Sequence, residues 1–305
     1  MKVAVAQVAP VLLDRDATMA RVLDMVDAAA AQGAHLVAFG ETLVPAYPVW
    51  LSSTGGARFN DPVQKDLFAR YVEQAVTRAD LQVLCDRARA RSMAVVIGVA
   101  ERSAERGNTL YCSRVFIGAD GVIGSIHRKL MPTYEERLVW GVGDGAGLVT
   151  HDVQGFQVSG LNCWENWMPL ARAAIYAAGA EVHVMLWPGA VRLTEDITPF
   201  VAKEMRGYVI SASNLIRRAD LPSDLQTRMP RDVYYDGGSC IAGPDGAWLV
   251  PPQVNVEGLW TAELDRHRLH EERQNFNPVG HYARPDVLSL HVDRRRHRAA
   301  TFQDD

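Results

Sequence analysis

Three residues of this chain form a set that packing alone does not ask for: Glu41, Lys129 and Cys163. A thiol supplies a nucleophile, a carboxylate can take its proton, and an ammonium can hold charge developing on an electrophile. Singly, each has a plainer explanation. Cys163 fits a buried structural thiol, Glu41 a helix cap, and Lys129 one more solvated base. Local placement gives the set its interest. Cys163 lies between the apolar run 156–161 and a helix-forming stretch, where backbone N–H groups and the helix dipole favour thiolate. Asn166 has N-cap chemistry, Pro169 suits a first helical turn, and Gly179 suits the stop after residues 171–178.

Strands and helices legible along the chain are what hold these residues in place. Residues 2–8 alternate like a buried strand, 17–31 carry Met19, Val22, Leu23, Met25 and Val26 at helical spacing, and Gly33 ends that helix. Residues 35–39 form a second strand, from whose end Gly40-Glu41-Thr42 emerge. A strand–helix–strand unit of this length implies parallel pairing, and open α/β sheets keep their chemistry at the carboxyl ends of such strands. Residues 44–60 read as irregular; the aromatics Tyr47, Trp50 and Phe59 suit a pocket wall, though anchoring of a loop is the commoner use of such residues. Helices are expected over 62–77 and 79–91, and strands over 94–100, 109–117 and 122–127, with Asp120-Gly121 as a hairpin turn. Lys129 follows the last of these. Residues 128–147 read as loop, 148–158 as one strand, and 182–187 as another ending at Pro188-Gly189. Thr194 caps a helix to about Gly207, 208–213 is a strand, and 217–236 is a polar excursion. Strands over 239–242, 248–250 and 258–264 and a helix over 265–273 close the pattern, which implies two α/β sheets packed in one domain.

The chain has 305 residues, 48% of them hydrophobic, and a formal net charge of −4. So mild a charge argues against nucleic acid or an anionic membrane as partner. Cys85, Cys112, Cys163 and Cys240 are widely separated and include no C-x-x-C pair, which fits reduced thiols in a cytoplasm. No run of about eighteen apolar residues is present, and the first residues alternate at once like a strand rather than like a signal peptide.

Other motifs fail their context. The run Gly141-Val142-Gly143-Asp144-Gly145-Ala146-Gly147 neither follows a clear strand nor opens a helix, so it reads as a turn rather than a phosphate loop. His267 and His270 lack a third metal ligand and fit a solvated helix face. The basic run 294–298 reads as a solvated tail. Ser239 has no Gly-x-Ser-x-Gly frame.

The segment Phe39-Gly40-Glu41-Thr42-Leu43-Val44-Pro45-Ala46-Tyr47-Pro48 resembles the glutamate motif of the carbon–nitrogen hydrolase superfamily, nitrilase branch. His127-Arg128-Lys129-Leu130-Met131-Pro132-Thr133, with Glu136-Arg137 and Trp140-Gly141, resembles its lysine motif, and Gly160-Leu161-Asn162-Cys163-Trp164-Glu165-Asn166 its cysteine motif. Leu186-Trp187-Pro188-Gly189 and Gly280-His281-Tyr282-Ala283-Arg284-Pro285-Asp286 extend the likeness over residues 2 to about 292, leaving 293–305 as a polar tail. The resemblance implies an α-β-β-α four-layer sandwich that pairs into a homodimer or higher homo-oligomer. It implies Glu41 as general base, Lys129 as the cation, Cys163 as nucleophile, and Glu136 as a second carboxylate orienting Lys129. It implies an anion-stabilising N–H from Trp164, and no cofactor or metal. Trp164-Glu165 after the cysteine is the nitrilase pattern, so the expected substrate is a small-molecule nitrile, hydrolysed to acid and ammonia with amide as a possible by-product. Tyr47, Trp50, Trp164, Trp187 and Pro188 are the expected substrate-binding residues. Ser211-Ala212-Ser213-Asn214 departs from the family pattern, which often carries a cysteine there, and the early end of the tail departs from longer nitrilases.

Overall fold

The computed structural model describes residues 1–107, 109–300 and 303. Of the expected tail 293–305, residues 301, 302, 304 and 305 lie outside the described residues. The strands are β1 (Lys2–Gln7), β2 (Leu36–Ala38), β3 (Ala94–Arg102), β4 (Leu110–Ile117), β5 (Ile123–Arg128), β6 (His151–Val153), β7 (Phe156–Asn162), β8 (Val182–Trp187), β9 (Tyr208–Ser213), β10 (Leu215–Arg217), β11 (Val233–Ala242), β12 (Trp248–Val254) and β13 (Gly258–Glu263). They form two sheets, ordered β13-β1-β2-β3-β4-β5 and β10-β11-β9-β8-β7-β6, with β12 paired to β11. The expected parallel units are present: β1 pairs β2 through Val3↔Leu36 and Val5↔Ala38, and β7 pairs β8 through Val158↔Val182 and Asn162↔Leu186.

Side-chain alternation along the strands builds the layers. Val3, Val5, Leu36 and Val96 of the first sheet face Val158, Val184 and Ile210 of the second. The intervening Ala4, Val37, Val95 and Ile97 face Val22, Val26, Leu84 and Ala88 on the helices Arg15–Ala31 and Gln82–Arg91. Leu161, Met185 and Val209 do the same against Ala171, Ile175, Val201 and Met205 on the helices Pro169–Ala177 and Ile197–Met205. The result is the expected α-β-β-α sandwich. Each fully buried Val or Leu in these layers contributes roughly 1.5–3 kcal/mol relative to exposure.

Several local expectations are corrected. The single strand over 148–158 is a hairpin of β6 and β7, broken where Gln154 (φ 52°) and Gly155 (φ 80°) turn left-handed. Residues 44–60 contain a short helix, Trp50–Thr54. The helix expected from Thr194 is two pieces, Val191–Thr194 and Ile197–Met205. Thr194 is the last residue of the first rather than a cap at its start, its hydroxyl donating to Gly238 O at 2.8 Å. The excursion over 217–236 holds the end of β10, a short helix Ser223–Gln226 and the start of β11. The basic tail is only partly solvated: Arg296 pairs with Asp144 at 3.1 Å and donates to Ile126 O at 2.6 Å. The helix after the cysteine begins at Pro169 with Met168 at its cap, and a separate 3-10 turn, Cys163–Trp167, precedes it. Asn166 is therefore not that helix's N-cap. Its buried amide instead donates to Cys163 O at 2.8 Å and accepts from His183 Nε2 at 2.8 Å.

Two features hold the strand ends in place. Gly98 on β3 lies beneath the segment leaving β2, where an added Cβ would come within 2.4 Å of Gly40 O and Thr42 N and 2.6 Å of Glu41 Cα. Glu165, 1% exposed, ties the loop after β5 to the loop after β7. Its carboxylate accepts from Leu130 N at 2.6 Å and Asn162 N at 2.8 Å, and His127 Nε2 lies 3.0 Å from both its oxygens. Burial pushes the Glu165 carboxyl up, but His127 and the two N–H groups more than reverse this and hold it below the usual carboxylate range.

Gly98→Ala is expected to cost about 1–3 kcal/mol, as overpacking against backbone does, and to displace Glu41, so that melting temperature and activity fall together in thermal and kinetic assays. Glu165→Ala strands two N–H groups and an imidazole in the core; chemical denaturation should show a loss of about 3–5 kcal/mol. Glu165→Gln, which keeps an acceptor, should lose less.

Candidate active site

Strand ends bring the expected residues together. Glu41 follows β2, Lys129 follows β5, Cys163 follows β7, and Glu136 lies on a 3-10 turn, Tyr134–Leu138, beyond Lys129. All four are buried, with exposures of 0% to 2%. The Lys129 ammonium lies 2.9 Å from Glu41 Oε1 and 2.8 Å from Glu136 Oε2. Cys163 Sγ and one oxygen of each carboxylate all lie within 4.8 Å of one another. These three could ligate a cation by spacing alone, but the lysine ammonium already sits against both carboxylates. His267 and His270 are exposed on their helix and join no such group among the described residues.

The backbone around each residue is fixed. Glu41 N donates to Trp187 O at 3.0 Å, and Asn214 Nδ2 donates to Glu41 O at 2.7 Å, so this first-sheet loop is held by residues of the second sheet. Lys129 N donates to Cys112 O at 2.8 Å and Gly143 N donates to Lys129 O at 2.9 Å. The glycine-rich run is thus a turn laid flat against β5: a Cβ on Gly143 would lie 2.1 Å from Arg128 O. Glu136 is held by Tyr47 OH at 2.8 Å and Thr133 N at 2.6 Å, in addition to Lys129. Cys163 has a left-handed backbone (φ 47°), a conformation a side-chain-bearing residue keeps only where its surroundings impose it.

Burial also sets the protonation states. It pushes the Glu41 carboxyl up to about 7; Lys129 opposes this and Glu136 adds to it. It pushes the Cys163 thiol well above its ordinary range, against the opposing pull of Lys129 and of the neighbouring Trp164 N–H. Burial disfavours the charge on Lys129, but Glu41, Cys163 and Glu136 outweigh it and hold the ammonium charged. The resting site is therefore a neutral thiol beside an ammonium and a carboxylate poised near neutrality. The dipole-stabilised thiolate expected at a helix N-terminus is not what this geometry favours, because the helix starts six residues further on.

The expected pocket residues divide. Tyr47 touches the cluster through its hydroxyl on Glu136, and its ring stands edge-on to Trp140 at 5.5 Å and Tyr235 at 5.3 Å. Trp187 is fully buried, its indole donating to Ser211 Oγ at 3.2 Å while its carbonyl holds Glu41; Pro188 is buried beside it. Trp50 is a core residue, packed edge-on to Tyr71 at 5.0 Å. Trp164 reaches the site through its N–H, and its indole is 47% exposed, tilted against Trp167. A cavity of about 700 Å³ lined by Val99, Val115, Ile126, Arg128 and Arg296 lies on the outer face of β3–β5 and shares none of the four polar residues. Two neighbours of the site were not expected. Tyr235 lies at the start of β11 in a Tyr-Asp-Gly-Gly run that reads as loop. Cys112 on β4 has its Sγ 3.3 Å from Glu41 Oε1, a contact between distant segments that no local pattern carries.

Known proteins share this chain's sequence pattern and fold. The carbon-nitrogen hydrolase family model matches residues 2–274. An aliphatic nitrilase of Rhodococcus rhodochrous is 35% identical over 99% of this chain and 82% of its own length. An aliphatic nitrilase of Sinorhizobium fredii (strain HH103) is 35% identical over 96% of this chain and 95% of its own. Among solved structures, a carbon-nitrogen hydrolase from Helicobacter pylori G27 superposes with a TM-score of 0.72 at 19% identity, covering 94% of this chain and 96% of that one, which speaks to the fold. With the sandwich, the motif-bearing strand ends and these full-length relatives in agreement, the chain belongs to the carbon–nitrogen hydrolase family, in its nitrilase branch.

Proposed function

We propose that the protein is a cofactor-free nitrilase in which Cys163 is the nucleophile, Glu41 the general base, Lys129 the cation and Glu136 the carboxylate that orients Lys129. The observation that carries the reading is a buried neutral thiol within 4.8 Å of a carboxylate that titrates near 7, beside an ammonium, in a chain akin to nitrilases throughout. A base is most effective with its pKa near the working pH. Glu41 takes the Cys163 proton as sulfur forms a bond to the nitrile carbon; one carbon–nitrogen π bond breaks and its pair goes to nitrogen, which is met by Lys129 and the Trp164 N–H and receives the proton back from Glu41 to give a thioimidate. Water adds with Glu41 as base, ammonia leaves, and a second water cleaves the thioester to the carboxylic acid. If the tetrahedral intermediate expels sulfur instead, the amide is released. Tyr47, Trp187 and Pro188, with Tyr235, shape the substrate's surroundings in this reading, and Trp50 supports them from the core.

The same proposal takes residues 1–292 as one catalytic domain, 293–305 as a tail, and the cytoplasm, where its four free cysteines stay reduced, as the compartment. No helix among the described residues is long and apolar enough to cross a membrane. Exposed Trp164, Trp167, Met168, Leu170 and Phe200 suit a face covered by a second copy, giving a homodimer or higher homo-oligomer.

Cys163→Ala should lower turnover by about a thousandfold or more with an unchanged melting temperature; appreciable residual hydrolysis would remove Cys163 from its role. A matched panel of nitriles and amides, with ammonia, acid and amide quantified separately, should show nitriles consumed to acid as the main product. Aliphatic nitriles come first on the panel because both relatives described above are aliphatic nitrilases. Amide turnover without nitrile turnover would make the protein an amidase. Sedimentation should give at least a dimer, and Leu170→Glu should shift it towards monomer.

A further inference from the structure

Glu41 presents its two oxygens unequally. Oε1 has two partners, the Lys129 ammonium at 2.9 Å and the Cys112 thiol at 3.3 Å. Oε2 is buried and has none. Cys112 lies on β4 opposite Ala100 of β3 and is 1% exposed. Its carbonyl accepts the Lys129 N–H at 2.8 Å, so one residue touches both members of the ion pair, one through its backbone and the other through its side chain. The family mechanism leaves this second buried thiol without a task.

We propose that Cys112 is a positioning residue for the base: its S–H fixes Glu41 Oε1 beside Lys129, leaving Oε2 as the oxygen that takes the Cys163 proton. The inference rests on Glu41 being that base. A carboxylate with one anchored and one free oxygen has a single rotamer and a defined basic atom, which is what proton abstraction in a dry site requires. The choice of sulfur follows from the same need. An S–H group is a weak donor, so it orients the carboxylate while lowering its basicity less than a stronger donor would. Burial holds Cys112 itself well above its ordinary range, so it stays a thiol and a donor. The other titratable groups acting on Glu41 are Lys129, Glu136, Cys163, Tyr47, Tyr71 and Tyr235, and Cys112 opposes the upward push of burial.

The test is the pH profile of kcat/KM for ammonia release from a nitrile, with Cys112→Ala, Cys112→Ser and Glu41→Gln measured beside the parent enzyme. Cys112→Ala removes the donor, so Glu41 should hold its proton to higher pH, and the acid limb should move up by roughly half to one pH unit. Cys112→Ser keeps a donor and should leave the limb at the parent value or below it. A purely structural thiol would lower activity in either variant without moving the limb. An unmoved limb in Cys112→Ala, or a limb in Cys112→Ser that rises as far, overturns the inference while leaving Glu41 as base. Glu41→Gln should lose about a thousandfold or more; near-parent turnover there would remove the base assignment and the role of Cys112 with it. Melting temperatures of all three variants separate misfolding from these outcomes, and Cys112→Val, which fills the space without a donor, serves if the Ala variant is unstable.

Discussion

A buried ammonium between two buried carboxylates sets the terms for the rest of this structure. Lys129 is 1% exposed and could not stay charged there alone, since an unpaired ion in a dry interior neutralises instead. Two carboxylates within 2.9 Å provide more negative charge than one ammonium cancels. The donors are unevenly shared. Glu136 accepts from Lys129, Tyr47 and Thr133 N, whereas Glu41 accepts from Lys129 and one weak thiol and has an oxygen with no partner. The excess therefore falls on Glu41, which is the carboxylate that can take up a proton near neutrality. The asymmetry of the donors thus separates two chemically identical side chains, one fully held and one with a free oxygen, which is the difference the proposed base role needs.

Such a cluster needs a frame that does not yield, and the two sheets provide it by holding each other's loops. Glu41 leaves the first sheet but is bonded by Trp187 O and Asn214 Nδ2 of the second. Leu130, next to Lys129, gives its N–H to Glu165, which stands two residues from Cys163. Neither sheet alone places all four residues. Packing the sheets through Val3, Val5, Leu36, Val158, Val184 and Ile210 is consequently as much a condition of the chemistry as the polar contacts are.

Glu41, Lys129 and Cys163 were legible in the sequence because each stands just after a strand-forming run and together they make a complete chemical set whose flanking residues resemble the motifs of one family. Strands β8 and β9 were legible as short apolar runs, and the helix Arg15–Ala31 from Met19, Val22, Leu23, Met25 and Val26 at helical spacing. What escaped depended on contacts between distant segments or on special backbone. Cys112 meets Glu41 only because β4 lies two strands from β2. Asn166 has the side chain of a helix cap, yet the 3-10 turn of residues 163–167 directs it inward, to Cys163 O and His183. The break between β6 and β7 needed Gln154 in a left-handed conformation that its residue type does not announce, although Gly155 beside it does. Trp164 was expected both through its N–H and as a residue lining the substrate; the N–H acts on Cys163, while the indole is 47% exposed.

The state of Cys163 at rest follows from the same donor distribution. A thiolate so deeply buried would add a third negative charge to a site with one ammonium, and burial and both carboxylates push against it. Lys129 therefore cannot act by making a standing thiolate. Under the proposed roles it would stabilise negative charge only as that charge forms, with Glu41 becoming neutral at the same time and releasing its hold on the ammonium. In the proposed mechanism, proton transfer from Cys163 to Glu41 would keep the net charge of the cluster constant and move one negative charge from carboxylate towards sulfur and substrate. In a medium this dry, a step that relocates charge is far less costly than one that creates it. The helix dipole that first marked Cys163 as reactive is then unnecessary, and its distance from the sulfur is no defect.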